Sequence, residues 1–151
     1  MHAERLIAYD VAPLAMKVVL EVENYIQQCG LEKSLIELVK MRASQINGCA
    51  YCLDMHSGDA RRNGETEQRL YLLDAWQEST LYSARERAAL AWTEVVTRIA
   101  ETHAPDAVYD EVRRHFADKE LVDLTTLVGL INLWNRLAIS LRYRHPVKRA
   151  T

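Results

Sequence analysis

The 151-residue sequence predicts an all-α fold, a bundle of about six to seven helices. Apolar residues make up 49% of the chain and recur at helical spacing almost throughout, without a convincing strand-like alternation. Five glycines and three prolines leave little sequence for turns, which favours helices over strands. The length and apolar content suit one domain, and no linker or repeat divides residues 1–151.

Turn and capping residues place the ends of seven predicted helices. Pro13 suits the first turn of a helix, and Gly30 ends that helix. Asn47 and Gly48 break the chain before the third helix, and a capping-box pattern at residues 83–86 opens the fifth. The predicted helices cover residues 13–29, 33–46, 49–63, 65–77, 83–99, 104–116 and 119–143.

Charge and hydropathy argue against a nucleic-acid or membrane partner. A formal net charge of −2 with 26% charged residues gives no broad attraction to nucleic acid or anionic lipid. The first residues contain no apolar run of signal-peptide length. The apolar segment 121–141 is interrupted by Asp123, Asn132, Asn135 and Arg136, so we predict a buried helix and a cytoplasmic protein. In that compartment a close cysteine pair indicates redox chemistry or metal binding.

The last predicted helix also suggests self-association. Leu127, Leu130, Leu133 and Trp134 fall outside its main apolar stripe. A helix that is apolar nearly all round either lies at the centre of a fold or is shared with another subunit. We therefore expect a homo-oligomer.

The strongest local signal is a CxxC pair followed by a histidine. Cys49, Cys52 and His56 are separated by three and then four residues. On a helix these side chains fall within about 60° of arc and share one face. Two sulfurs in this register can close a disulfide, and an imidazole one turn from Cys52 can accept or return a proton.

A thiol at this position is suited to peroxide chemistry. Free backbone N–H groups at a helix start stabilise a thiolate, and CxxC cysteines there often have a lowered pKa. A thiolate attacks peroxide oxygen to give a sulfenic acid, which a neighbouring thiol converts to a disulfide. The helix dipole favours Cys49 as the attacking sulfur, whereas contact with His56 favours Cys52, and spacing alone leaves the choice open.

Metal and haem sites are alternatives for the same motif. A CxxC is half of a zinc site, but the chain has no second CxxC, and His103, His115 and His145 are each isolated. Haem attachment needs a histidine where Leu53 stands. We predict no metal and no cofactor, with a zinc-stabilised scaffold as an alternative. Cys29, near a helix end, is interpreted as a small apolar residue.

Glu37 has two interpretations. Ser34 to Glu37 is itself a capping-box pattern, so the carboxylate has a structural explanation. Glu37 also lies twelve residues before Cys49, and a functional role is the second interpretation. Tyr51, between the two cysteines, is a candidate supporting residue that could donate a hydrogen bond or pack.

The stretch from Glu37 to His56 resembles the core motif of the alkylhydroperoxidase AhpD family, within the carboxymuconolactone decarboxylase superfamily. That motif is Glu, eleven residues, CxxC, three residues, His, and every position is matched here. Segments 41–48, 83–94 and 132–138 also look like this family. The resemblance covers about residues 14–142.

The resemblance implies an all-α fold, assembly as trimers or hexamers, and reduction of organic hydroperoxides through a dithiol–disulfide cycle. By analogy Cys52 reacts with peroxide, Cys49 resolves the intermediate and is exposed to an external dithiol reductant, and Glu37 with His56 forms a proton relay. The reductant would be a lipoyl or thioredoxin-like protein or a small thiol. Well-known peroxidase members carry histidine where this chain has Tyr51. Tyrosine, as a residue type, ionises far above neutral pH, so it is a poorer proton shuttle there than histidine.

Two other functions compete with a thiol peroxidase. A decarboxylase-type enzyme of the same superfamily would use acid–base groups on a lactone and would not need the cysteine pair. A non-enzymatic redox-sensing or stress-response module would oxidise its cysteines without turnover. The intact CxxC argues against the first of these, and only a turnover assay separates the second from a peroxidase.

Overall fold

A computed structural model of the chain describes residues 3–147, and those residues form nine α-helices and no strand. The predicted all-α class is confirmed. The helices are α1 (Ala8–Val11), α2 (Pro13–Gln28), α3 (Lys33–Asn47), α4 (Ala50–Arg62), α5 (Glu67–Leu72), α6 (Ala84–Thr97), α7 (Ile99–Thr102), α8 (Asp106–Arg113) and α9 (Asp118–Leu141), with a 3-10 turn at Leu73–Ala75.

The seven longer helices correspond to the seven predicted ones, and the two additional helices are single turns. The helix predicted over residues 83–99 ends at Thr97, because Arg98 leaves helical geometry before α7 begins. The helix predicted over 65–77 tightens into the 3-10 turn after Leu72. The capping box that opens α6 is present, since Ser83 and Glu86 each accept a hydrogen bond from the other's backbone N–H.

Helix α9 is the central helix of the fold. It packs against α2, α3, α4, α6 and α8, and its Leu124, Leu127, Val128 and Ile131 are fully buried. Among the described residues it alone is long and apolar enough, by length and composition, to cross a membrane. A core helix can meet the same criterion, and the packing of α9 inside this fold agrees with the prediction of a buried helix.

Buried asparagines tie α9 to the end of α3. Asn47 Nδ2 donates to Asn135 Oδ1 at 2.8 Å and to Asn132 Oδ1 at 3.0 Å. Asn135 Nδ2 in turn donates to Ser44 Oγ at 2.9 Å. Buried amides that satisfy one another in this way hold a rigid arrangement, because each broken bond would leave an unpaired polar group. The network therefore fixes the end of α3, which leads directly into the CxxC.

Gly48 makes the turn that places the CxxC at the start of α4. Its φ of 70° is left-handed, a conformation that glycine adopts without a steric penalty. The Cys49 N–H then donates to the Ser44 carbonyl at 3.0 Å. This turn sends α4 back along α3, so that residues of the two helices face each other.

Candidate active site

Cys49 and Cys52 are joined by a disulfide at the N-terminus of α4. Cys49 is the residue that caps the helix, and its Sγ accepts a hydrogen bond from the Cys52 N–H at 3.3 Å. The two Cα atoms are 5.4 Å apart, within the range that disulfides need. The sequence-based expectation that the two sulfurs can bond therefore agrees with this geometry. Cys29 is a free, half-buried thiol that packs against the main core.

The expectation that Cys49 is exposed to an external reductant is wrong for this conformation. Cys49 and Cys52 are each only 1% exposed. Ala138 of α9 packs against them, and the rings of Tyr51 and Tyr143 cover the same cluster. Sequence spacing places Cys49 at a helix start, but residues almost ninety positions later in the chain shield it from solvent.

Glu37 and His56 form a buried hydrogen-bonded pair that joins α3 to α4. The distance from Glu37 Oε2 to His56 Nδ1 is 3.0 Å, and the two residues are 6% and 4% exposed. The capping-box interpretation of Glu37 is wrong, because α3 begins at Lys33, a turn before Glu37, and no side chain caps it. The carboxylate instead points across to the next helix.

The pairing fixes which nitrogen of His56 carries a proton. A carboxylate can only accept hydrogen bonds, so Nδ1 carries the hydrogen and donates to Glu37. The neutral ring then has its lone pair on Nε2. That Nε2 atom is buried and has no hydrogen-bond partner within the described residues 3–147. His56 therefore presents a base whose orientation is set by Glu37.

Asp59 is a third member of this group and was missed by sequence analysis. Its Oδ2 lies 3.9 Å from His56 Nδ1, three residues further along α4. The three-residue spacing from His56 to Asp59 could have predicted this contact, because residues three apart on a helix are neighbours. One nitrogen of His56 and carboxylate oxygens of Glu37 and Asp59 lie within 4.8 Å of one another, so these three could offer ligands to a metal ion. The Glu37–His56 hydrogen bond already occupies Nδ1.

A cavity of about 280 Å³ adjoins His56 and Glu37. Its walls combine apolar and aromatic side chains with a few polar groups, the usual composition of a small-molecule site. The predicted residue Tyr51 lines it, together with residues from four different parts of the chain that sequence analysis did not connect. The apolar and aromatic lining comes from Tyr9, Leu20, Tyr51, Met55, Trp134 and Tyr143.

An ion pair between a buried lysine and a half-buried glutamate forms another part of the cavity wall. Lys40 is 2% exposed and pairs with Glu23, which also accepts a hydrogen bond from Trp134 Nε1 at 3.2 Å. Burial by itself would raise the pKa of Glu23, but the charge and hydrogen bond of Lys40, with help from Gln27 and Trp134, lower that pKa overall. Glu23 is therefore an ionised group that neutralises the buried ammonium.

The fold and this site define an all-helical protein with a CxxC disulfide beside a buried carboxylate–imidazole pair. The chain belongs to the carboxymuconolactone decarboxylase family, whose model matches residues 13–95. The AhpD-like resemblance expected from the motif is confirmed by the relatives of this chain.

Three relatives illustrate the relationship. YdfG of Bacillus subtilis, an uncharacterised protein, is 44% identical over 146 residues, which is 97% of this chain and 99% of YdfG. The structure of a protein of unknown function from Agrobacterium tumefaciens, described as a putative antioxidant defence protein AhpD, is 46% identical with a TM-score of 0.94, covering 97% of this chain and all of the other. Alkyl hydroperoxide reductase AhpD of Hyphomonas neptunium is 40% identical over 47 residues, 31% of this chain and 26% of that enzyme.

The Glu23–Lys40 pair generates a stability prediction. Replacing Glu23 with Gln leaves the ammonium of Lys40 buried without its counter-charge, so the free energy of unfolding at pH 7 should fall by on the order of 3 kcal/mol. Because the folded-state pKa of Glu23 is lowered, its contribution is fully present above the pKa of an unfolded glutamate and is lost as the pH falls through the lowered value.

Urea unfolding at pH 7 and at successively more acidic pH values measures this difference. The gap between wild type and Glu23→Gln should be largest at pH 7 and shrink under acid. Glu21→Gln, an exposed residue on the same helix, is the control and should change stability little at either pH. A Glu23→Gln variant as stable as wild type at pH 7 would contradict a stabilising buried pair.

Proposed function

We propose that this protein is a thiol-dependent peroxidase that reduces hydroperoxides through a Cys49–Cys52 dithiol–disulfide cycle. The observation that carries the proposal is the buried Glu37–His56 hydrogen bond, which leaves a lone pair on Nε2 of a histidine four residues after Cys52. Family membership and the AhpD relatives support the same class of chemistry. The cycle needs only the chain's own residues and an external dithiol, without a cofactor or metal.

The first step of the proposed cycle oxidises Cys52. His56 lies four residues after Cys52, one turn along the same face of α4, and its Nε2 takes the thiol proton. The thiolate attacks one peroxide oxygen, so that a sulfur–oxygen bond forms and the oxygen–oxygen bond breaks. The leaving alkoxide recovers the proton from His56, which yields an alcohol and a sulfenic acid. Glu37 stabilises the transient imidazolium, as a carboxylate does behind a catalytic histidine.

The second step closes the disulfide and the third step reopens it. The Cys49 thiol attacks the sulfenic sulfur of Cys52, the sulfur–sulfur bond forms, and hydroxide leaves with the thiol proton as water. An external dithiol, such as a lipoyl group, a thioredoxin-like protein or a small thiol, then reduces the disulfide by exchange. Because both sulfurs are covered, the reductant reaches Cys49 only when the tyrosine rings above it move.

Replacement of single cysteines tests this assignment. Cys52→Ser and Cys49→Ser should each lose steady-state consumption of an alkyl hydroperoxide, because the first lacks the attacking sulfur and the second cannot form the disulfide. Cys29→Ser is the matched control and should retain wild-type turnover, since that half-buried thiol packs against a different cluster from the disulfide. Peroxide consumption is followed with lipoyl, thioredoxin and small-thiol donors in parallel. Normal turnover in Cys52→Ser would contradict the proposed Cys49–Cys52 peroxidase cycle.

The relay is tested separately from the sulfurs. Glu37→Gln and His56→Gln should slow oxidation of reduced Cys52 by about 100-fold or more near pH 7, within the range that general acid–base groups contribute. Raising the pH should partly restore the rate, because a cysteine without a base ionises by itself near pH 8.5. Glu101→Gln, an exposed residue of α7, is the control. Unchanged rates in both relay variants across this pH range would remove the relay from the mechanism.

The same assays separate the competing functions. A redox-sensing module would consume one equivalent of peroxide and then stop with every donor. An acid–base enzyme of the decarboxylase type would act on a lactone and would keep its activity after alkylation of the thiols.

We further propose that the protein is cytoplasmic and works as a homo-oligomer. Large apolar side chains remain exposed on two helices: Leu14 and Val18 on α2 are 78% and 60% exposed, and Val122 and Ile139 on α9 are 65% and 46% exposed. Such residues are candidates for burial between subunits. Sedimentation velocity should therefore give a mass three or six times 17.3 kDa, and a monomer at micromolar concentration would contradict the proposal.

A further inference from the structure

The hydroxyl of Tyr143 is buried without a hydrogen-bond partner. Among residues 3–147, only two buried side-chain polar atoms lack a partner, and they are Tyr143 Oη and His56 Nε2. Both residues line the 280 Å³ cavity beside Glu37. An unpaired buried polar group costs about 1–3 kcal/mol, and native proteins contain few of them. That two residues lining one cavity each carry such an atom favours a polar group of a ligand as their partner.

The ring of Tyr143 packs against two neighbours, and its backbone is bonded to the end of α9. It contacts the ring of Tyr51 edge to face, with centroids 5.4 Å apart and an interplanar angle of 81°. It also packs against the cluster formed by Cys49, Cys52 and Ala138. Its backbone N–H donates to the Ala138 carbonyl at 2.9 Å, after a left-handed residue that ends α9. The hydroxyl has no partner among residues 3–147, so it is available to donate to a ligand, as donors in oxyanion sites do.

We propose that Tyr143 donates a hydrogen bond to the leaving oxygen of the hydroperoxide. This proposal rests on the peroxidase function proposed above and adds a residue outside the recognised motif. As the Cys52 sulfur–oxygen bond forms, the electron pair of the breaking oxygen–oxygen bond moves to the alkoxide oxygen. Tyr143 stabilises that oxygen while His56 returns the thiol proton to it, so the alcohol leaves neutral and Tyr143 keeps its own proton.

The electrostatic surroundings of Tyr143 suit a donor. Burial, followed by Tyr9, Tyr51 and Glu4, raises the pKa of Tyr143 above the ordinary value of tyrosine. The phenol therefore stays protonated throughout the neutral range. A hydrogen bond to a developing negative charge is stronger than one to a neutral group, so the interaction favours the transition state over the bound peroxide.

Tyr143→Phe separates this role from packing. The variant keeps the ring that covers the sulfurs and removes only the hydroxyl, whose loss should not destabilise the fold because it has no partner to leave behind. Reduced protein is mixed with cumene hydroperoxide in a stopped-flow instrument, and disulfide formation is followed by thiol consumption in a single turnover. The rate constant of oxidation should fall about 10- to 100-fold. The rate of disulfide reduction by dithiothreitol should stay within about twofold, since the ring still covers the sulfurs.

Tyr109→Phe is the control for loss of a tyrosine hydroxyl, because Tyr109 lies in α8 and lines a different cavity. It should oxidise and reduce at wild-type rates. Oxidation of Tyr143→Phe at the wild-type rate would overturn the role of Tyr143 and leave the peroxidase function standing. Equal slowing of oxidation and reduction would also overturn it, because that pattern belongs to altered packing over the sulfurs.

Failure of Tyr143→Phe to fold would overturn the premise that the hydroxyl is unpaired. A wild-type protein whose reduced thiols do not react with the hydroperoxide would instead refute the peroxidase function itself. The two failures are therefore distinguished by the wild-type trace alone.

Discussion

The hydrogen bond between Glu37 and His56 is the contact on which the site depends. It crosses from α3 to α4, so it exists only because the turn at Gly48 folds one helix back along the other. The bond determines which imidazole nitrogen carries hydrogen and leaves the other nitrogen, Nε2, without a partner among residues 3–147. Both partners are nearly inaccessible to water, which strengthens their interaction and makes either one costly to leave unpaired.

The part of the site that lies within one helix could be predicted from the sequence. Cys49, Cys52 and His56 follow helical periodicity, and periodicity is a local property that spacing reveals. Glu37 could be assigned only through the family resemblance, because its partner stands nineteen residues away on another helix and a capping-box pattern offered a sufficient local explanation. The catalytic roles of these four residues stay predictions. The Cys49–Cys52 disulfide and the Glu37–His56 hydrogen bond are observed in the structure.

The features that sequence analysis missed depend on tertiary contacts between distant parts of the chain. Cys49 is not exposed as expected, because Ala138 in the last turn of α9 and Tyr143 just after that helix pack against it. The burial of Lys40 could not be predicted from the sequence, because lysine is usually exposed and its partner Glu23 lies on a different helix. The seven longer helices were easier to predict, because apolar periodicity marks them. Single-turn helices such as α7 were missed, because they are too short to show a periodic pattern.

Helix α9 supports the disulfide in two ways. Asn135, near the C-terminal end of α9, anchors the turn before Cys49, and Tyr143, two residues beyond the helix, packs its ring against the same sulfurs. The N-terminal segment is fastened to this end as well, because the Arg5 N–H donates to the Leu141 carbonyl at 2.9 Å. Fraying of the last turn of α9 would thus release two contacts together: the ring of Tyr143 over the disulfide and the Arg5–Leu141 hydrogen bond. The hydrogen bonds of Asn135 would still hold the turn before Cys49 in place.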